Sequence, residues 1–303
     1  METLTRCPFC GSRNISDITK IRDYTSVDSR RYIYSACQNC GVIFQSFRPE
    51  ASEIKNFYQS DYQPYNDQYN FFVKKFIEYR TRREIRIFKK LNPNIANVLE
   101  IGCSFGRYLK ALRDFGGFNV TGIEIDGDCC RRGKAEFNLE IINSDLLAAG
   151  FKPESFDLIV MNHVLEHLYN PAEVLAEISK VLRSGGILSI KTPNADTLER
   201  KFFKNFWFPY EAPRHIFLFS PETLKKILSA SGLSVKEISF EKTPNNLILS
   251  VRNYLIEKNY STGAINFFNI NNYLLLALFL PLAAIFGLVK KSGRMVIIAQ
   301  KNE

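Results

Sequence analysis

The chain has 303 residues, of which 46% are hydrophobic and 23% are charged, and its net charge is +9. This composition excludes a disordered or fibrous protein, and the length suffices for one large α/β domain and a small module. No charged stretch leads into an apolar leader, and the seven cysteines include two Cys-x-x-Cys pairs, so we expect a cytoplasmic protein without a disulfide framework.

The charge is unevenly distributed along the chain. Residues 1–95 and 194–303 carry an excess of Lys and Arg, whereas residues 96–193 carry an excess of Asp and Glu. The acidic middle segment suits a cationic or neutral cofactor. The basic flanks suit a polyanion, such as a phosphate, a nucleic acid or an anionic membrane surface.

Residues 1–48 are predicted to form a zinc ribbon. The segments "CPFCGS" and "CQNCGV" each hold a Cys-x-x-Cys-Gly knuckle, in which a tight turn points two thiolates at one ion. Together they supply the four sulfur ligands of a tetrahedral structural zinc site, and "RRYIYSAC" between them predicts a strand of a hairpin. The alternative is a redox pair or unrelated cysteines. The expected ligands are Cys7, Cys10, Cys37 and Cys40.

Residues 49–95 are expected to connect this ribbon to the main domain. "FFVKKFIEYRTRREIRIFKKL" has the spacing of an amphipathic helix, with Phe72, Phe76, Tyr79 and Phe88 among its apolar positions. Its basic residues run from Lys74 to Lys90. They form either a solvated face on a helix that caps the next domain, or a strip that faces phosphates or a membrane.

From Asn97 the chain alternates apolar strands with helices, which predicts an α/β domain with a doubly wound, mostly parallel sheet over residues 96–303. Ligands of such sheets bind at the carboxyl ends of the strands. The predicted strands are 97–101, 120–124, 140–143, 156–162 and 186–194, and the predicted helices are 107–115, 128–137, 171–182 and 221–230.

The turn in "VLEIGCSFG" indicates which ligand this domain binds. Gly102-x-x-x-Gly106 differs from the dinucleotide fingerprint, and Glu100 before it suits an ammonium group rather than a pyrophosphate. Glu124 ends the second strand, where it can bind ribose hydroxyls, and Asp145 follows the third strand, where it can accept from an adenine amine. An ammonium, a ribose and an adenine without phosphates are the parts of S-adenosylmethionine (SAM).

Residues 97–194 resemble the class I SAM-dependent methyltransferases. The segments "LEIGCSFG", "VTGIEID", "INSDL", "FDLIVMNHVLEHLYNP" and "LRSGGILSIKTPN" follow the order and spacing of that family. The resemblance implies a Rossmann-like seven-stranded sheet whose last two strands, at 231–240 and 293–301, pair as a hairpin with the last strand antiparallel. It also implies the cofactor-binding residues Glu100, Gly102, Cys103, Ser104 and Gly106 on the methionine side, Glu124 and Ile125 at the ribose and purine, Asp145 and Leu146 at the adenine, and Asn162 closing the pocket.

The segment "NHVLEH" follows the fourth strand and supplies candidates for a catalytic base. Transfer of a methyl group to an oxygen or carbon needs alignment and a base, and the chain has only three histidines. The candidates, in the order in which we favour the histidines, are His167, His215 and His163, with Glu166 beside them. The alternatives are that these residues only support the loop, or that two histidines and Glu166 bind a divalent metal.

Two apolar segments follow the fifth strand. "RKFFKNFWFPYEAPRHIFLF" mixes aromatic and basic residues, which suits a lid over an amphipathic acceptor, a membrane contact or a surface for sugar stacking. The insert at 245–291 contains an uncharged stretch at 273–289, followed by Lys290 and Lys291. If this stretch crossed a bilayer, the last two strands could not pair, so we expect a shallow membrane contact. The alternative is a helix in the core or between subunits.

The predicted function is transfer of a methyl group from SAM to a glycan, a lipid-linked sugar or a related small molecule, at oxygen, on the cytoplasmic face of the membrane. Similar proteins with a two-knuckle ribbon are often encoded among bacterial surface-polysaccharide functions, an association that comes from the family alone. The alternatives are an RNA methyltransferase and a non-catalytic SAM-binding adaptor. The apolar insert argues against nucleic acid, and the sequence does not indicate an oligomeric state.

Overall fold

The computed structural model describes residues 1–26, 30–58 and 71–302, without the side chains of 71–74 and 76. Residues 59–70 of the predicted linker therefore lie outside the described residues, as do the side chains of Phe72, Lys74 and Phe76. The described residues contain two sheets, one of five strands and one of seven.

The smaller sheet is antiparallel and holds the predicted ribbon. Its strands are β1 (Glu2–Thr3), β2 (Ile15–Arg22), β3 (Arg31–Cys37) and β4 (Ile43–Arg48), in the order β1-β4-β3-β2. A fifth strand comes from far along the chain, because Phe217–Leu218 pairs antiparallel with β4. The ribbon predicted at residues 1–48 thus shares its sheet with the main domain.

The strands of the larger sheet are β5 (Asn97–Ile101), β6 (Asn119–Glu124), β7 (Ile141–Asn143), β8 (Phe156–Asn162), β9 (Leu182–Pro193), β11 (Leu233–Phe240) and β12 (Arg294–Lys301), with Phe217–Leu218 as β10 of the smaller sheet. Their order is β11-β12-β9-β8-β5-β6-β7, which is the predicted Rossmann-like topology. All neighbouring pairs from β9 to β7 are parallel, and β12 is antiparallel to both of its neighbours.

Nine α-helices accompany the sheets in the described part of the chain. Several begin at a capping side chain: the Asp126 carboxylate accepts from the N–H groups of Asp128 and Cys129, and Ser220 precedes Pro221 at the start of another helix. The helices are α1 (Phe71–Leu91), α2 (Arg107–Gly116), α3 (Gly127–Phe137), α4 (Pro171–Val181), α5 (Leu198–Phe203), α6 (Pro221–Ala230), α7 (Asn245–Glu257), α8 (Thr262–Phe267) and α9 (Tyr273–Leu288).

The central strands are buried on both faces, so their sequences are continuous apolar runs that predict strands. In β8, "FDLIVMN", every residue except Asn162 is buried, as expected for a parallel strand covered by helices on both sides. One apolar core lies against α4 and α6, and a second contains Ile85 and Phe88 of α1. Tyr79, predicted as an apolar position of α1, is instead 60% exposed.

The insert between β11 and β12 folds into α7, α8 and α9. Because β11 and β12 pair directly, the insert leaves the sheet and returns to it on the same side. Helix α9 runs through Pro281 and exposes most of its apolar side chains. Among the described residues, no helix has the length and apolar character needed to cross a bilayer.

The aromatic segment at 200–219 differs from the predicted lid. Trp207 and Tyr210 are buried in a cluster that contains Tyr32 and Tyr34 of the ribbon sheet, and Phe217 and Phe219 are also buried. Trp207 and Tyr210 pack on the smaller sheet, whereas Phe217 and Phe219 belong to a cluster with residues of both sheets, so these four rings have no surface to offer an acceptor or a membrane. Phe203, Phe206 and Phe208 are half-buried, and Phe202 has 78% of its surface exposed.

Candidate functional site

The turn after β5 has the backbone shape of a ligand cradle. Gly102 and Gly106 have φ angles of 65° and 86°, in the left-handed region that favours glycine, and Ser104 between them has 51°. A Cβ atom at Gly102 would lie 2.6 Å from the Val164 side chain. Cys103 is buried beneath the turn, where its sulfur would contact a Cβ added at Gly122 of β6. Glycines therefore allow this loop to lie close to the sheet.

Glu100 is a buried carboxylate with one free oxygen. Asn162 donates from Nδ2 to Oε1 at 3.4 Å, whereas the buried Oε2 has no hydrogen-bond partner within the described residues. Burial raises the pKa of Glu100 to about 8, against the opposing hydrogen bond from Asn162. Since a buried acceptor without a donor is costly, this oxygen fits a ligand that brings a donor, such as the ammonium of SAM.

Glu124 is held at the end of β6. Its Oε2 accepts from the Ser104 N–H at 2.8 Å and its Oε1 accepts from the Asp126 N–H at 3.0 Å. Each carboxylate oxygen retains a further lone pair, so the group can still accept from two neighbouring hydroxyls. The adjacent Ile125 is 66% exposed and offers an apolar surface to a purine.

Asp145 and Leu146 follow β7 at the same edge of the sheet. Asp145 is exposed and its Oδ1 accepts from the Ala148 N–H at 2.9 Å, while Leu146 is buried in the core. The cofactor residues predicted from the sequence therefore all lie at or just beyond the carboxyl ends of β5, β6, β7 and β8, where a parallel sheet binds its ligands.

His163 and Glu166 form a hydrogen-bonded pair next to this pocket. His163 Nδ1 lies 3.0 Å from Glu166 Oε1, and Thr192 donates to Glu166 Oε2 at 3.0 Å. His163 follows the pocket residue Asn162 directly, and its φ of 55° is unusual for a residue other than glycine. Such backbone strain is often found at functional sites.

His167 and His215 form a second pair, with ring centroids 4.6 Å apart. His167 Nδ1 lies 3.0 Å from the Arg214 carbonyl and 3.0 Å from the Tyr58 hydroxyl. His215 Nδ1 lies 2.7 Å from the Pro209 carbonyl, and its Nε2 lies 3.4 Å from Glu211.

The pKa values of Glu166 and His167 are both lowered in the folded protein, with different consequences for the two groups. Burial would raise the pKa of Glu166, but the hydrogen bond from His163 and the three nearby histidines hold it at about 2, so the group is ionised at neutral pH. Burial, with a contribution from His215, lowers the pKa of His167 to about 4. A base with so low a pKa accepts a proton weakly at neutral pH, so the structure does not favour His167 as first choice.

Glu166, His167 and His215 also have the composition of a metal site. One carboxylate oxygen and one nitrogen of each ring lie within 4.8 Å of one another. Both Glu166 oxygens accept hydrogen bonds, from His163 and Thr192, so the carboxylate has partners within the chain, and each oxygen keeps one further lone pair.

Sequence reasoning missed several residues that contact these groups. Thr192, Tyr58, Arg214 and Glu211 surround the histidines, and Lys191 lies 3.5 Å from Glu84 and 3.4 Å from Glu241 near the pocket. Most of these contacts join segments far apart in the chain, which no local pattern reveals. Only Arg214 and Glu211 gave a signal, as charged neighbours of His215 in "EAPRHIF".

The four ribbon cysteines converge on one point. Their sulfurs lie within 4.8 Å of one another, with 3.6 Å between Cys7 and Cys40 and 3.5 Å between Cys10 and Cys37. Gly11 and Gly41, which follow the knuckles, have φ angles of 68° and 80°. Four zinc ligands at about 2.3 Å in a tetrahedron are separated by similar distances, so the sulfurs fit such an ion.

Comparison with known proteins also indicates a SAM-dependent methyltransferase. A family profile described as a methyltransferase domain matches residues 73–238, more than half of the chain. A protein of Mycolicibacterium smegmatis, named "Probable S-adenosylmethionine-dependent methyltransferase", is 30% identical over 39% of this chain and 47% of its own length. A ubiquinone biosynthesis O-methyltransferase of Glaesserella parasuis is 33% identical over 32% of this chain and 45% of its own length.

The chain thus spans about half the length of the curated relatives it matches. Among solved structures, a SAM-dependent methyltransferase from Archaeoglobus fulgidus has a TM-score of 0.51 and 25% identity, and the match covers 75% of this chain and 94% of that one. The pocket at the strand ends, the seven-stranded sheet and the family match agree: this chain belongs to the class I SAM-dependent methyltransferases.

Proposed function

We propose that this protein transfers the methyl group of SAM to an oxygen atom of a glycan, a lipid-linked sugar or a related small molecule at a membrane surface. The observation that carries the proposal is the His163–Glu166 pair, which continues directly from Asn162 of the cofactor pocket. A hydroxyl acceptor needs a base at this place, and an imidazole oriented by an ionised carboxylate is such a base.

The cofactor would be held by groups that the chain already presents. The free oxygen of Glu100 would accept from the ammonium, Glu124 from the ribose hydroxyls, and Asp145 from the adenine amine, with Ile125 against the purine ring. When bound, SAM supplies a methyl group on a sulfonium, which is already an activated leaving group. The protein therefore contributes alignment and proton removal.

Proton removal is assigned to His163. Its Nδ1–H donates to Glu166 Oε1, which leaves Nε2 as the acceptor of the proton from the hydroxyl that is methylated. Glu166 stays ionised, since its pKa is held near 2, and it stabilises the imidazolium that forms. The names of two relatives agree with oxygen as the acceptor atom, because both are ubiquinone biosynthesis O-methyltransferases.

A membrane contact is proposed for α8 and α9. Phe267, Leu274, Leu278, Ile285 and Leu288 are all exposed, with Leu274 and Leu278 at 69% and 68%. Exposed apolar surface of this extent marks an interaction site, and cations beside it favour an anionic bilayer over a neutral partner. Lys242 lies against Gly287, and Lys290 follows the helix.

We further propose that Cys7, Cys10, Cys37 and Cys40 bind a structural zinc ion. The converging sulfurs and the two glycine turns support this assignment. With four protein ligands, the ion would have no open position for substrate, so it would stabilise the ribbon and take no part in the reaction.

The acceptor class is tested by incubating the protein with methyl-labelled SAM and either membranes or a soluble extract. Label in the organic-soluble material of the membranes is expected, and Glu166→Gln should lower its rate of incorporation by about 10²–10⁴-fold, the usual contribution of a general base. Label in RNA of the soluble extract would replace this proposal with nucleic-acid methylation. Label that enters membranes equally with Glu166→Gln would contradict the role of the His163–Glu166 pair.

A further inference from the structure

The smaller sheet is connected to the His163–Glu166 pair by two consecutive backbone hydrogen bonds. The Gln45 N–H in β4 donates to the Ile216 carbonyl at 2.9 Å, and the Ile216 N–H donates to the Glu166 carbonyl at 2.7 Å. Just beyond this point, β10 pairs with β4. The backbone of Glu166 is therefore fixed by a segment that is itself fixed by the smaller sheet.

Two buried side chains of the same sheet, Tyr34 and Gln45, hold the segment that leads up to His215. The Tyr34 hydroxyl lies 2.6 Å from the Tyr210 carbonyl and 2.7 Å from the His215 carbonyl. Gln45 Nε2 lies 2.8 Å from the His215 carbonyl and 3.1 Å from that of Pro213. Because carbonyls only accept, the Gln45 amide must point its nitrogen at them, which fixes its orientation.

A third connection reaches His167. Asp23, which follows β2, accepts from Arg214 Nη1 and Nη2 at 3.2 Å each, and both side chains are buried. The Arg214 carbonyl in turn accepts from His167 Nδ1. A buried bidentate ion pair such as Arg214–Asp23 has a fixed geometry. It therefore fixes the position of the Arg214 carbonyl, which orients the His167 ring.

We infer that the N-terminal sheet is part of the catalytic machinery, and that Tyr34 and Gln45 are positioning residues for the His163–Glu166 pair. The inference rests on the proposed role of that pair as the base. Residues 165–167 form only a single short 3₁₀ turn, so their own secondary structure supplies little rigidity. The rigidity comes from the segment 209–216, which the smaller sheet holds through Tyr34, Gln45 and Asp23.

The test uses the full chain and needs no acceptor. The protein has only three histidines, so labelling histidine with ¹⁵N and recording long-range ¹H–¹⁵N spectra resolves every imidazole. In the wild-type protein we expect neutral His163, His167 and His215 each to carry the proton on Nδ1, since each Nδ1 faces an oxygen acceptor. Tyr34→Phe combined with Gln45→Leu should shift the His163 signals and give it a mixture of the two tautomers.

The matched control is Ser35→Ala. Ser35 is as buried as Tyr34 and neighbours it in β3, but within the described residues its hydroxyl bonds to Asp17 and Ser46 of the same sheet and not to the segment 209–216. This variant should leave all three histidines as in the wild-type protein. If the double variant does not fold, Tyr34→Phe alone keeps the ring in place and should shift His163 in the same direction.

A His163 spectrum that is identical in the Tyr34/Gln45 variants and the wild-type protein would overturn the inference, even if His167 and His215 change. If instead the proposed function is wrong, no acceptor takes up label from SAM, while the histidine spectra still change when Tyr34 and Gln45 are substituted.

Discussion

Asn162 donates from Nδ2 to Glu100 Oε1 at 3.4 Å, and the other oxygen of this buried carboxylate has no partner in the described part of the chain. The ligand-free protein thus holds a carboxyl group in a place where its charged form is poorly compensated. This is a stability cost that a cationic ligand would remove, and it is characteristic of sites that favour binding over stability.

The stability of the ligand-free protein should therefore depend on Glu100 and on pH. Burial raises the pKa of Glu100 from 4.5 to about 8, so the folded state favours the protonated form. The stabilising contribution of this group to the free energy of unfolding is fully present below pH 4.5. It is lost as the pH rises through 8, a change on the order of 2–4 kcal/mol.

Urea unfolding of the wild-type protein and of Glu100→Gln, from pH 5 to pH 8, measures this effect. The free energy of unfolding of the wild-type protein should fall relative to that of the variant, because the amide does not titrate. A difference between the two proteins that stays constant with pH would show that Glu100 titrates normally.

Zinc should be present in one equivalent and should be bound by the ribbon. Cys37→Ser removes one of four thiolate ligands, so we expect loss of the metal and a less stable N-terminal sheet, with SAM affinity nearly unchanged because the pocket lies at the strand ends of the other sheet. Elemental analysis and calorimetry provide the two measurements. Cys130→Ser, a buried thiol of α3, is the control and should keep the metal. A native protein free of zinc would refute the assignment.

The exposed face of α9 should bind anionic bilayers. Changing Leu274, Leu278 and Leu288 to Ser should release the protein from sedimenting liposomes, since each leucine contributes about 1.5–3 kcal/mol when fully buried. A loss of roughly a hundredfold or more in partitioning is therefore expected. The fold should be retained, because all three side chains are exposed.

The control for this measurement is Ile18→Ser with Tyr79→Ser, two exposed apolar residues far from the insert in sequence. It should bind liposomes as the wild-type protein does. A wild-type protein that stays in the supernatant with anionic liposomes would contradict the proposed membrane contact of α9.

The main sheet and the cofactor pocket could be predicted from sequence because their signals are local. A strand such as "FDLIVMN" is a continuous apolar run, and the residues at its end face the pocket by topology alone. The order of the last two strands followed from the resemblance to a known family, and the seven-stranded topology confirms it.

The pairing of β10 with β4, which connects the main domain to the smaller sheet, could not be predicted in this way. Strand β10 has only two residues, too few for any periodicity, and its partner β4 lies more than 160 residues earlier in the chain. For the same reason the sequence suggested a lid at Trp207 and Tyr210, although both rings are buried against the smaller sheet. The sequence likewise has no local signal for the contact between His167 and His215, which together with burial lowers the pKa of His167 to about 4.

Calorimetry of SAM with the wild-type protein and with Glu124→Ala determines whether SAM binds at the strand ends of the larger sheet. We expect one site per chain, with affinity weakened by about 1–3 kcal/mol in the variant, because the ribose hydroxyls lose a charged acceptor. NAD should not compete, since Glu100 disfavours a pyrophosphate in the turn. A wild-type protein that gives no heat with SAM, or a Glu124→Ala variant with unchanged affinity, would rule out SAM binding at these strand ends.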